Sequence, residues 1–238
     1  MLYPIGITQA CAHAAKLLKR AGISITDHPT PDATALLLDV PSFRPGGPDV
    51  ARILTMLPPD ILVIGGNLDV EELSQKRKLD LLKNEEYLAG NAAITADCAL
   101  RLAGQHMEAT FPDTPALILG WGRIGKFLSR KLAALGTPVT VAARNEKDRA
   151  MIRSLGFETA DYDQLDLRPY GLVFNTVPAP VLNRTQLDVF PECVKIELAS
   201  RPGLDGAGII DGRGLPGKLA PQSSGALIAR TILKEARL

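Results

Sequence analysis

"PALILGWGRIGKFLSRKLAALGTPVTVAARN", residues 115–145, opens apolar, passes three glycines and turns into a helix-forming stretch. Gly120, Gly122 and Gly125 spell G-x-G-x-x-G. The bare pattern is common, and its setting decides what it means. The run before it reads as a buried strand. After it Ile124, Phe127, Leu128, Leu132 and Leu135 recur at helical spacing, and Gly136 separates that helix from a second apolar run. Strand, glycine turn, helix and strand form the frame that a dinucleotide fingerprint requires. Gly120 permits the tight turn, Gly122 lets backbone approach a pyrophosphate, and Gly125 lets helix and strand pack closely. The helix start offers free N–H groups to the phosphates. Trp121, Arg123 and Ile124 fill the loop between the glycines and join the cofactor-binding set.

About 20 residues past such glycines, an Asp or Glu normally holds the ribose 2′-hydroxyl of NAD. "VTVAARN" has no acid there. Ala142 and Ala143 occupy the position, Arg144 follows, and the first acid is Glu146. A carboxylate would repel a 2′-phosphate, whereas a guanidinium binds one with paired hydrogen bonds. Ala143 and Arg144 therefore point to NADP rather than NAD.

Outward from this unit, strands are expected at 115–120, 138–143, 170–175, 193–199 and 207–211, and helices at 123–135, 145–155 and 223–236. The first half alternates too. A helix over 8–20 is capped by Thr8 and ended by Gly22. Strands are expected at 23–26, 34–40, 60–66 and 78–82, with a helix between the second and third of these. A helix starting at Thr95 buries Ala96, Ala99, Leu100 and Ala103, and "EATFPDTP" reads as a linker. The expected fold is α/β in two domains. A smaller N-terminal α/β domain, bearing the substrate and catalytic groups, spans 1–108. A Rossmann-type NAD(P)-binding domain spans 109–222, and a C-terminal helix, 223–238, packs back on the first domain.

The totals narrow the function classes. The chain has 238 residues, 46% hydrophobic and 22% charged, with a net charge of +1. That is a globular composition with no basic face for nucleic acid. Cys11, Cys98 and Cys193 fit neither a disulfide framework nor a metal pattern, and all three are expected to be buried. No apolar run would cross a bilayer and no secretory pattern opens the chain, so a cytoplasmic protein is expected. His13, His28 and His106 are too scattered for a metal site.

"GWGRIG" resembles the fingerprint of D-2-hydroxyacid dehydrogenases, but their chemistry needs a late histidine, and all three here precede the glycine loop. A more specific resemblance lies elsewhere. "NAAITADCAL", "VAAR", "NTVPAPVLN", "IELASRPG" and "GLPGKLAPQSSGALIARTIL" together resemble the A-subunit of dipicolinate synthase over roughly residues 75–238. The resemblance implies an NADP-linked dehydrogenase subunit of spore-forming bacteria. With a flavoprotein-like B-subunit of dipicolinate synthase, it would convert a dihydrodipicolinate-type cyclic intermediate into pyridine-2,6-dicarboxylate. The chain departs from the family at Asp97, often Glu there, and at Gln222, often Lys.

Such a substrate calls for cations and N–H groups around two carboxylates. Arg201, after "ELAS", suits a bidentate clamp, or else pairs with Glu197 or Asp205. Lys218 precedes the last helix. Ser223 and Ser224 are placed to cap that helix and face an anion. Asn175, Thr176, Val177 and Pro178 follow the fourth strand beside the nicotinamide. Asn91, Thr95 and Asp97 come from the first domain, and Asp97 is the candidate acid/base group with Arg201 and Lys218 as catalytic partners. Two other readings stay open: a non-catalytic NADP-binding subunit, and a shikimate-dehydrogenase-like NADPH reductase of another small carboxylate. A homo-oligomer is also compatible with the sequence.

Overall fold

Thr8 starts the first helix as its sequence predicts. Its hydroxyl accepts from the Cys11 backbone N–H at 3.2 Å, closing the N-terminus of α1 (Gln9–Arg20). Gly22, at φ +95°, supplies the left-handed residue that ends it. In the computed structural model, which describes residues 1–162, 165–166, 170–188 and 192–236, the chain divides into two compact units. One comprises Met1–Ile94 and Pro216–Leu238, the other Thr95–Leu215.

The first unit holds a four-stranded parallel sheet in the order β1-β2-β3-β4. The strands are β1 (Leu2–Pro4), β2 (Ala35–Leu37), β3 (Leu62–Gly65) and β4 (Arg77–Asp80). The opening strand is thus Leu2–Pro4. The expected strand at 23–26 reduces to a single bridge between Leu2 and Ile25. A short helix, α2 (Val50–Leu54), is capped by Asp49 and packs Val50 and Leu54 into the core on one side of the sheet. On the other side α1 meets the final helix, α8 (Pro221–Glu235), through Leu18, Leu227, Ile228 and Ile232.

Gly225 permits that approach. A Cβ there would sit 2.6 Å from the Ala10 carbonyl oxygen and 2.8 Å from His13 Cβ. Helix propensity alone favours Ala over Gly by about 1 kcal/mol. Overpacking against backbone costs about 1–3 kcal/mol and opposes it. Gly225→Ala is therefore expected to lower the melting temperature, and a rise would show that α1 yields freely.

The long helix α3 spans Glu85–Gly104, so it starts at Glu85 and not at Thr95. Asn84 provides the cap, accepting from the Tyr87 N–H at 2.8 Å, and Thr95 lies buried in mid-helix. The units divide within α3 and again at Leu215/Pro216, not near residues 108 and 222. The C-terminal segment joins the first unit, and the two are similar in length.

The second unit holds a six-stranded parallel sheet in the order β10-β9-β8-β5-β6-β7. Its strands are β5 (Ala116–Leu119), β6 (Val139–Ala142), β7 (Glu158–Ala160), β8 (Leu172–Asn175), β9 (Val194–Glu197) and β10 (Ile209–Asp211). Its helices include α4 (Arg123–Ala134) and α5 (Glu146–Ser154). The strand β7, the short α6 (Arg184–Leu187), and α7 (Leu215–Leu219), which runs from this unit into the first, have no counterpart in the sequence expectations. Leu135, expected inward, is 44% exposed because α4 has already ended.

The three cysteines are buried and free. Burial pushes the Cys11 thiol up to about 12, helped by the nearby Asp39 charge, and the Cys193 thiol up to about 11. Both lie above the ordinary value of 9.0, so the folded state holds these protons more tightly than the unfolded chain. The resulting stability is fully present below pH 9 and is lost as pH rises through about 11 and 12. The melting temperature is expected to fall between about pH 8 and about pH 10.5. A thiol reagent should react slowly with native protein and promptly with all three thiols in denaturant.

Candidate functional site

The turn after β5 is built as its glycines require. Gly120 has φ +104°, and a Cβ on it would stand 2.6 Å from Thr176 Oγ1. A Cβ on Gly125 would collide with the Gly120 carbonyl oxygen, so the helix packs onto the turn itself. Gly122 differs: nothing lies within 4 Å of its would-be Cβ. It is the N-cap residue of α4, extended at φ −76°, and no side chain caps the helix there. The α4 N-terminus thus carries no side-chain cap, and the space beside Gly122 is open at a helix start where an anion is favoured.

A cavity of about 340 Å³ opens over this turn. Gly120, Trp121 and Gly122 form one wall, and Thr176, Val177 and Pro178 another. Arg123 starts α4 beyond this wall, and Ile124 is half-buried. Thr176 Oγ1 donates to the Leu119 carbonyl at 2.8 Å, fixing the two strand ends together. Asn175 lies fully buried below, so it shapes the loop and does not face the cavity.

The third wall is the end of β6: Ala143, Arg144, Asn145 and Asp148. Arg144 is exposed, and among the described residues no carboxylate pairs with it. Its backbone is held, because Arg149 Nη1 donates to the carbonyls of Ala143 at 2.8 Å and Arg144 at 3.0 Å. Arg149 is anchored in turn by Asp161 at 2.7 Å. Asn145 caps α5 and donates to Asp148 Oδ2 at 2.8 Å. Tyr162 adds a half-buried ring whose hydroxyl donates to the Ala142 carbonyl at 3.1 Å. Burial pushes that phenol up to about 12, against the pull of the Arg144 charge.

The other expected site residues are not gathered here. Asn91, Lys218, Ser223 and Ser224 belong to the first unit, and Thr95, Asp97 and Arg201 to the second. Asp97 is mid-helix and exposed, and it pairs with Lys131 of α4 at 2.6 Å. It therefore neither starts a helix nor stands free as an acid/base group. Lys218 is exposed on α7. Ser223 and Ser224 do not cap α8, because Pro221 already fills its first turn after Ala220. Ser224 is buried, with no hydrogen-bond partner for its hydroxyl among the described residues. Arg201 is exposed, and neither expected partner holds it: Asp205 faces Arg184 at 3.7 Å, and Glu197 is turned to the backbone.

Arg149 and Tyr162 escaped the sequence reading, which named Glu197 only as a candidate partner of Arg201. Only the Glu146–Arg149 spacing on α5 hinted at the first of them. Among the described residues no cluster of His, Cys, Asp or Glu could hold a metal ion, and no helix is long and apolar enough to cross a membrane.

Read from β7, the sheet order is the doubly wound 3-2-1-4-5-6 of a dinucleotide-binding domain, with the glycine turn at its switch point. The chain is thus a two-unit α/β protein with a Rossmann-type nucleotide-binding domain. In sequence and in fold it is similar to the dipicolinate synthase A-subunit. The curated Bacillus subtilis (strain 168) A-subunit is 32% identical over 171 residues. The match covers 67% of this chain and 58% of that protein, so it spans less than two thirds of the relative. A Bacillus subtilis dipicolinate synthase A chain superposes with a TM-score of 0.82 at 22% identity, covering 98% of this chain and 94% of that one. The Bacillus halodurans A-subunit gives 0.81 at 23%, over 98% and 96%. A Sinorhizobium meliloti transhydrogenase shares the fold at 0.74 and 16% identity, over 98% and 92%. No protein-family model matches the chain.

Proposed function

We propose that this chain is an NADP-dependent oxidoreductase subunit of the cytoplasm. It would oxidise a dihydrodipicolinate-type cyclic dicarboxylate to pyridine-2,6-dicarboxylate together with a flavoprotein-like B-subunit. The observation that carries the cofactor half is the pairing of an open Gly122 with an exposed Arg144 on one cavity. The residues fit the group: the Gly120–Gly125 turn and the α4 N–H groups for the pyrophosphate, Arg144 for a 2′-phosphate, and Thr176–Pro178 for the nicotinamide end. Bound there, the nicotinamide supplies a hydride acceptor. The substrate half rests on the similarity to the dipicolinate synthase A-subunit, with Arg201 as an exposed guanidinium suited to one ring carboxylate.

The Asp97–Lys131 pair favours a second reading, in which this subunit holds nucleotide and leaves proton transfer to its partner. Purified chain, the B-subunit, NADP and freshly made cyclic substrate should yield ultraviolet-absorbing product. Separate Asp97→Asn and Arg201→Ala variants then divide the readings. Loss of turnover with either one supports catalysis by this chain, and intact turnover with both supports the holding role. No product with NADP or NAD would overturn the reaction.

A further inference from the structure

Glu197 ends β9 at 3% exposure, and its carboxyl group meets only donors. Oε1 accepts from Asn175 Nδ2 at 2.9 Å and the Ala199 N–H at 3.0 Å. Oε2 accepts from Asn175 Nδ2 at 3.0 Å and from the N–H groups of Gly203 at 2.8 Å and Leu204 at 3.1 Å. These three backbone donors bracket Arg201, so Glu197 folds the Arg201 loop around itself.

Asn175 carries the connection the other way. Its Oδ1 accepts from the Val177 N–H at 3.0 Å, and its Nδ2 also reaches the Val177 carbonyl at 3.1 Å. Val177 lines the nucleotide cavity. The two loops also run side by side: Val181 N–H donates to the Gly203 carbonyl at 2.8 Å, and a Cβ on Gly203 would meet Asn175 Nδ2 at 2.6 Å. One buried carboxyl group thus touches the loop bearing Arg201 directly and reaches the loop facing the nucleotide through Asn175. No residue from 199 to 204 lines the cavity itself.

We propose that Glu197, through Asn175, is a positioning residue that couples the Thr176–Pro178 loop to the Arg201 loop, so that nucleotide occupancy sets the Arg201 guanidinium. This deepens the functional reading above and rests on nucleotide binding at that cavity. Only an all-acceptor group satisfies this set of donors. Glutamine would aim an amide N–H₂ at one donor group in either orientation and leave a buried hydrogen unpaired.

Hydrogen exchange of the full chain with and without NADPH tests the coupling. Binding is followed at the single tryptophan, Trp121, which lines the cavity. In wild-type protein, saturating NADPH should slow exchange at Val177 and, at a distance, at Ala199, Gly203 and Leu204 by about tenfold. In Glu197→Gln the distant protection should vanish while binding weakens by no more than about tenfold. Asn175→Ala keeps the three backbone donors on Glu197 but cuts the path to Val177. It should lose the same transmitted protection, and it serves the test if Glu197→Gln fails to melt cooperatively. Transmitted protection that persists in a folded variant overturns the coupling. Wild-type protein that binds NADPH without change at 199–204 overturns it alone. Wild-type protein that binds neither NADPH nor NADH overturns the functional reading and the coupling with it.

Discussion

Gly122→Asp should leave the melting temperature unchanged or slightly raised while weakening NADPH and NADH about 100-fold or more. The two effects separate because the site's geometry separates them. Gly122 is extended, and its would-be Cβ has open space around it, so a side chain costs the fold nothing. As N-cap of α4, an aspartate even accepts from the first-turn N–H groups. Those same N–H groups are what a pyrophosphate needs, and the added negative charge repels it. Gly125→Ala is the counterpart. Its methyl group would meet the Gly120 carbonyl, so the turn and α4 must part. That should destabilise the second unit by about 3 kcal/mol, with binding lost as a consequence. Thermal melts beside Trp121 fluorescence titrations distinguish the two variants. If Gly122→Asp binds dinucleotide as the wild type does, the phosphates do not rest on this turn.

The turn was legible because its constraint is local. A strand end, a positive φ and a helix start must lie within six residues, and glycine is the residue that permits each. The strands β5 and β8 were legible for a related reason: both are buried along their whole length, so β5 reads as an unbroken apolar run and β8 as one up to Asn175. Glu197 could not be read in the same way. In "VKIELAS" it looks like the polar half of an alternating strand, and its donors lie two, six and seven residues later and on β8. Asp97 failed for want of its partner: Lys131 belongs to another helix, and without it a lone acid near Thr95 resembles a capping group. Asn84 was overlooked as the true start of α3 because "EEYLAGN" lacks a clear apolar stripe.

Arg144 should govern the choice between the two nicotinamide dinucleotides. Its peptide is fixed by Arg149, while its own guanidinium is exposed and unpaired among the described residues, so it is available without breaking an existing bond. Charge-assisted hydrogen bonds to a 2′-phosphate contribute about 1.5–3 kcal/mol, or about 10- to 100-fold in affinity. Arg144→Ala should therefore weaken NADPH by about that factor and leave NADH within about threefold. Arg144→Asp goes further: it repels the 2′-phosphate and offers an acceptor to the ribose hydroxyls, so the order of preference should invert. Asp148 tempers the wild-type preference, because its carboxyl group lines the same cavity, tied to Asn145. Asp148→Asn should consequently tighten NADPH more than NADH. Because the guanidinium is exposed, added salt should erode NADPH binding in wild-type protein and do so less in Arg144→Ala. Paired titrations of NADPH and NADH at low and high salt measure all of this. An NADPH-to-NADH ratio that is the same in wild type, Arg144→Ala and Arg144→Asp would show that this arginine reads no phosphate.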